Sequence, residues 1–251
     1  MVDYAKLYKE QEAEEKGLTT RQDDDRDLLY LKKYELLDAA NKKVKDIISV
    51  TLNKPAVFAA NVISALNSTK QQVIVETEDH SIDTHEVEQF QEAGFNAANT
   101  KLVNAGEPTL NFFTDAQASV RGRATRLVLF RVENEELVPD ISSWDSRFVR
   151  GERGEDDWVW KGYKTVRSKG DILAEYGIDV GKKAAPVLNI WTPEVNQIWL
   201  DGKQHNSVEG FKPMEQENPY GFVPFTHAYS GFGSGTPDND PASLAVSRLR
   251  S

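Results

Sequence analysis

The stretch EPTLNFFTDAQASVRGRATRLVLFRV, Glu107 to Val132, holds the change of rhythm that decides the fold. As far as Val120 it reads as a helix, and Gly122 offers a left-handed stop. From Arg126 the apolar period drops to two, with the branched and aromatic residues that favour strands.

Upstream, the spacing predicts more helix. DDDRDLLYLKKYELLDAANKKVKDII, residues 23–48, places acids before lysines, as the helix macrodipole prefers. TLNKPAVFAANVISALNS follows, with Pro55 suited to a first turn, and QQVIVET, residues 71–77, reads as a short strand. Asp83 and Glu86 stand at capping-box spacing ahead of Val87, Phe90, Ala97 and Leu102. Downstream, SRFVR, DDWVWKGYKTV, APVLNIWT and VNQIWLDG read as strands, Asp201-Gly202 as a hairpin turn, and KGDILAEYG as a short helix. Helices first and strands afterwards predict an α+β fold, with N-terminal helices packed on a mostly antiparallel β region.

The 251 residues include no cysteine, which excludes disulfides and thiol chemistry, and 39% hydrophobic with 28% charged residues suits a globular chain. The start MVDYAKLYKEQEAEEKG lacks the pattern of a secretory leader, and no window approaches a membrane span, so cytoplasmic synthesis is expected. A formal charge of -10 argues against a surface built to grip phosphates.

Candidate chemistry is thin. GIDVGKKAA, residues 177–185, has three residues between its glycines where a phosphate loop has four, and Lys183 where a hydroxyl should follow Lys182. It reads as a connecting loop, and no nucleotide hydrolysis is expected. GFGSG, Gly231 to Gly235, runs into Thr236-Pro237 and reads as a flexible linker. His80 and His85 lie among Asp79, Asp83 and Glu86 at a spacing unlike a helical zinc pair, His205 carries no motif, and His227 alternates with Phe225 on a strand. The acidic runs at 23–25 and 151–157 read as solvated faces. Trp158 and Trp160 are expected to share one strand face and Trp191 and Trp199 to flank a hairpin, all in core or cross-strand packing. Pro224 predicts a sheet edge for GFVPF, anchored by Val223 and Phe225. No catalytic, cofactor or metal residue is assigned.

The order of segments resembles the N-terminal wing portion of a tailed-bacteriophage portal protein. The likeness is carried by LNKPAVFAANVISALNS leading to QQVIVET, then VEQFQEAGFNAANTKLVNAG, TLNFFTDAQASVRGRA, LVLFRV and VPDISSWDSRFV, and finally VLNIWTPEVNQIWLDG and NPYGFVPFTHAYSG. It spans about residues 50–245. The resemblance implies a non-enzymatic component of the capsid portal vertex, acting in head-tail connection, genome packaging and ejection. Its implied partners are further copies of itself in a ring of twelve, the terminase, the capsid protein, a head-tail adaptor and dsDNA sliding through without sequence specificity. The implied location is the virion, after synthesis in a bacterial cytoplasm.

On this reading residues 1–50 form a helical arm, 51–230 the wing domain, and 231–251 a linker and the start of a stem-type helix, with Asp240 as N-cap and Pro241 in its first turn. The stem is expected beyond Ser251, which predicts that residues 1–251 alone are monomeric or weakly associating and that a longer product forms closed rings. Two other readings stay open: a carboxylate-dependent hydrolase, and another virion or adhesion module using exposed tryptophans.

Overall fold

The computed structural model describes residues 2–229 apart from 34, 46, 49, 70–73, 80, 82, 134 and 156. Its helices are α1 (Tyr4–Glu14), α2 (Lys16–Leu29), α3 (Lys54–Ser68), α4 (Thr84–Asn104), α5 (Leu110–Arg121) and α6 (Lys169–Tyr176). Its strands are β1 (Arg123–Glu133), β2 (Glu136–Trp144), β3 (Val149–Arg153), β4 (Trp158–Ser168), β5 (Ala184–Trp191), β6 (Val195–Leu200), β7 (Lys203–Gln204), β8 (Glu215–Glu217) and β9 (Phe225–Tyr229). The fold is α+β, as the period change predicts. Two compact units divide it: residues 1–17 with 125–227, and residues 18–124 with the remainder of the chain.

The first unit holds a three-stranded sheet, β2-β1-β9, and a larger antiparallel sheet, β3-β4-β5-β6-β7, in which β8 also pairs with β6. Strand alternation sends Leu188, Ile190 and Trp199 to one face, where they meet Ala5 and Tyr8 of α1. Ala185, Val187, Ile198 and Leu200 point to the other face, under Ile172 and Tyr176 of α6. A third cluster joins the two sheets through Leu127, Trp144, Val149, Trp191, Val223 and Phe225.

Helix α1 is capped by Asp3, whose carboxylate accepts from Lys6 N at 2.9 Å. One stripe of its side chains, at helical spacing, is fastened to the sheet. Tyr8 donates to the Phe148 carbonyl at 2.6 Å, Gln11 accepts from Gly151 N at 3.0 Å, and Glu12 takes Lys164 at 2.6 Å. Just past the helix, Glu15 meets the buried Arg150 guanidinium at 3.2 Å. Gly162, opposite Ile190 in the β4–β5 ladder, makes room for this packing, because a Cβ there would collide with Ile190 Cδ1.

Several expectations change. The helix expected over 23–48 starts earlier and ends at Leu29. Leu31 then takes a left-handed φ of 54°, and Asp38 builds a turn by accepting from Ala40 N and Lys42 N, both at 2.8 Å, which leaves a bridge between Leu37 and Lys43. Turn chemistry at Asp38 and Asn41 prevails over helical spacing. Of the strand expected at 71–77, residues 71–73 lie outside the described residues and Ile74–Thr77 is not strand; Val75 N donates to Glu88 of α4 at 2.9 Å instead of to a ladder. Ser146–Phe148, expected as strand, is a 3-10 turn capped by Asp145 ahead of β3. Trp158 and Trp160 do not share a face. Arg153 pairs with Trp158 and Glu152 with Trp160, so Val159 is a bulge residue that reverses the alternation. Trp160 therefore packs beneath α1, while Trp158 joins the inter-sheet cluster.

Other expectations hold. Pro55 sits in the first turn of α3, Asp83 caps α4, and Gly122 ends α5 with a φ of 73°. Asp201 and Gly202 both have positive φ in the β6–β7 hairpin. The GFVPF segment leads into β9, an edge strand, and Pro224, unable to donate, accepts from Val128 N at 3.0 Å. Further along β1 the Tyr220 hydroxyl accepts from Phe130 N at 2.8 Å and donates to its carbonyl at 3.2 Å, so that edge is closed by a side chain.

Near α6, Glu175 is held by Arg167 and by Lys212 at 2.9 Å. Partial burial pushes the Glu175 carboxyl upward, but the hydrogen bonds from Lys212 and Arg167 outweigh it and hold the group below its ordinary range. A depressed folded pKa means the stabilisation is present above the unfolded value of about 4.3 and fades as pH falls through the lower folded one. Glu175→Gln should therefore be less stable than wild type near neutrality, with the gap closing in acid melts below about pH 4. A gap that stays constant down to pH 2 would show that ionisation of Glu175 contributes nothing.

Candidate interaction surface

Several of the residues that sequence reasoning tested for chemistry have structural partners. In the loop at 177–185, Gly177 is the left-handed C-cap of α6, and Lys182 pairs with Asp201 at 2.5 Å. Lys169 meets Asp179 at 2.7 Å, so both carboxylates are held below their usual range by a lysine hydrogen bond. His85 lies on α4 beside Gln89 at 2.8 Å, and Asp83 is occupied as a cap. No group of metal-ligating side chains forms among the described residues. His80 and the Gly231–Gly235 run lie outside them, as does the helix start expected from Asp240. His205 is half-buried beside β7. The His227 ring is 2.8 Å from Thr125 Oγ1 and edge-on to Trp158.

Among the described residues, acidic side chains of the two runs have separate partners. Asp23 reaches Arg121 at 3.5 Å, and Asp25 is raised by partial burial and then by the neighbouring Asp24 charge. Glu152 accepts from Trp160 Nε1 at 3.2 Å, and Asp157 accepts from the Trp158 backbone. Of the tryptophans, Trp144, Trp160, Trp191 and Trp199 are buried and Trp158 half-buried, so they make no exposed aromatic row. Lys161 is buried, with its Nζ 3.5 Å over the Trp158 ring.

The second unit presents a different kind of site. Helix α5 packs against both α3 and α4. Leu110 N, at the start of α5, donates to Asn99 of α4 at 2.9 Å, and Gln22 and Arg121 exchange side-chain-to-carbonyl bonds of 3.1 and 2.7 Å. Along α3, Ala56, Ala59, Val62 and Ile63 are half-buried, yet no residue of that helix is fully buried. Val57, Phe58 and Leu66 stay open to solvent on the same helix. Ahead of it, Ile47, Ile48, Val50 and Leu52 are exposed as well, Ile48 at 89% and Phe58 at 71%. A groove of about 540 Å³ runs beside these residues, with Leu28, Val50, Leu52 and Pro55 among its apolar walls. Asp27 and Lys32, paired at 2.5 Å, stand on its polar side.

The sequence did not single this surface out, because TLNKPAVFAANVISALNS reads there only as a helix. What it can do chemically is bind another apolar surface. Charge is unevenly spread around it. Between Leu31 and Lys54 six lysines face three carboxylates, a net of +3, whereas Gln71 to Thr100 carries seven carboxylates and no lysine or arginine. Compared with known proteins, the chain matches no family model and no curated protein.

Proposed function

We propose that the chain is a structural, non-enzymatic subunit of a tailed-phage portal vertex, working as one of several identical copies in a ring. The observation that carries the reading is the exposed apolar surface around α3 within the helical unit. A free monomer gains nothing from leaving such residues in water, whereas a subunit covers them on assembly. The order of segments in the wing resemblance agrees with that role. The acidic balance of -10 suits a conduit through which DNA slides, because strong phosphate binding would brake the polymer. In this role the ring docks the terminase during packaging, sits among capsid proteins and later holds a head-tail adaptor, while the motor elsewhere turns over ATP.

Particle images of the purified gene product test the proposal. Rings with a central hole are expected. Discrete single-copy particles at every salt concentration would remove the portal reading. Turnover of a nucleotide that Lys182→Ala abolishes would replace it with an enzyme.

A further inference from the structure

The surface around α3 needs an occupant, and the charges of the same helical unit identify one. We propose that a second copy of this chain covers it head to tail, with the acidic segment from Ile74 through the first half of α4 in one copy lying on the basic, apolar surface of residues 31–66 in the next. The proposal goes beyond the portal reading by naming the contact, and it requires neither a ring nor a phage.

The argument has three steps. Within one copy α5 packs against both α3 and α4, which have only sparse contact with each other, so the two surfaces do not cover one another. Each surface is chemically half of a pair. One side offers Phe58, Val57 and Leu66 with a lysine-rich approach, and the other offers Ile74 and Phe90, 66% and 39% exposed, among seven carboxylates. Finally, charge selects the pairing. A contact of like surfaces would set +3 against +3 or -7 against -7, whereas a contact between the two different surfaces sets opposite signs together, and repeated from copy to copy in one direction it runs head to tail. The chain's overall charge of -10 repels at long range, but at about 0.1 M salt the Debye length is about 10 Å and the local attraction governs close approach.

Sedimentation of the whole 251-residue chain at about 0.1 M salt tests this. Wild type should self-associate with rising concentration. Lys45→Glu with Lys54→Glu, and separately Glu78→Lys with Glu92→Lys, should each weaken association about tenfold or more. An equimolar mixture of the two variants should recover it, because reversed charges again face opposite signs. Circular dichroism confirms that each variant is folded, and Lys45→Gln and Glu78→Gln give milder versions if either is not. Wild type that stays monomeric at all concentrations, variants that associate as tightly as wild type, or a mixture no better than its parts would each overturn the contact. Rings whose assembly ignores these substitutions would leave the portal reading standing without this contact. Open head-to-tail chains that never close would do the reverse.

Discussion

Trp160→Ala is expected to cost about 3–5 kcal/mol of stability, the range for removing a large buried aromatic side chain. The ring is 1% exposed and belongs to the cluster formed by Ala5, Tyr8, Leu188, Ile190 and Trp199. Tyr4 lies against it at 6.1 Å between ring centroids, and its Nε1 donates to Glu152. The substitution therefore opens a cavity at the seat of α1 and leaves the Glu152 carboxylate without that donor. The first seventeen residues should also become easier for a protease to cut, since Trp160 belongs to the cluster that seats Ala5 and Tyr8 of α1. Chemical denaturation with an unchanged midpoint would place Trp160 outside the core and α1 away from the sheet.

Phe225→Ala should have an effect of similar size, about 3–5 kcal/mol, from a different place. Phe225 opens the edge strand β9 and is only 8% exposed. Its ring meets Trp144 edge-on at 4.6 Å, and Trp144 in turn stacks on Tyr163 at 4.3 Å, so one aromatic chain ties the small sheet to the large one. Truncation removes the first member and leaves Trp144 against a void. A thermal melt should drop by many degrees; no loss would mean that β9 lies outside the inter-sheet core.

Both residues were legible in the sequence as core candidates, but for unequal reasons. Phe225 alternates with Val223 beside a proline that can lie only at an edge or bulge, and the structure places them so. Trp160 was recognisable as a packing residue, but its partner was not. The bulge at Val159 leaves no periodic signal, and part of the docking of the N-terminal segment runs through Gln11, Glu12 and Glu15, polar residues that add nothing to an apolar period. Helix ends at Asp83 and Gly122 and the turn at Asp201-Gly202 were readable because they depend on one or two residues with strong local preferences. The segment 32–48 failed for the converse reason. Its spacing suits a helix, but Asp38 and Asn41 supply turn bonds that compete locally. The candidate surface was invisible for a different cause: hydrophobic spacing states which residues would rather be covered, not what covers them.

The two halves of the chain thus differ in what they leave unfinished. The β unit buries three apolar clusters with α1, α6 and sheet-to-sheet packing, and leaves Val132 and Val166 among its exposed apolar residues. The helical unit leaves Ile48, Val50 and Phe58 in water beside a lysine-rich stretch, with a carboxylate-rich one on the flank of α4. The proposed assembly of identical copies would resolve both the apolar exposure and the charge separation with a single repeated contact.

The mass of the purified gene product, measured by light scattering across salt and protein concentration, tests that account most directly. The account predicts a closed species whose mass is a fixed multiple of one copy. A single-copy mass under every condition would contradict it.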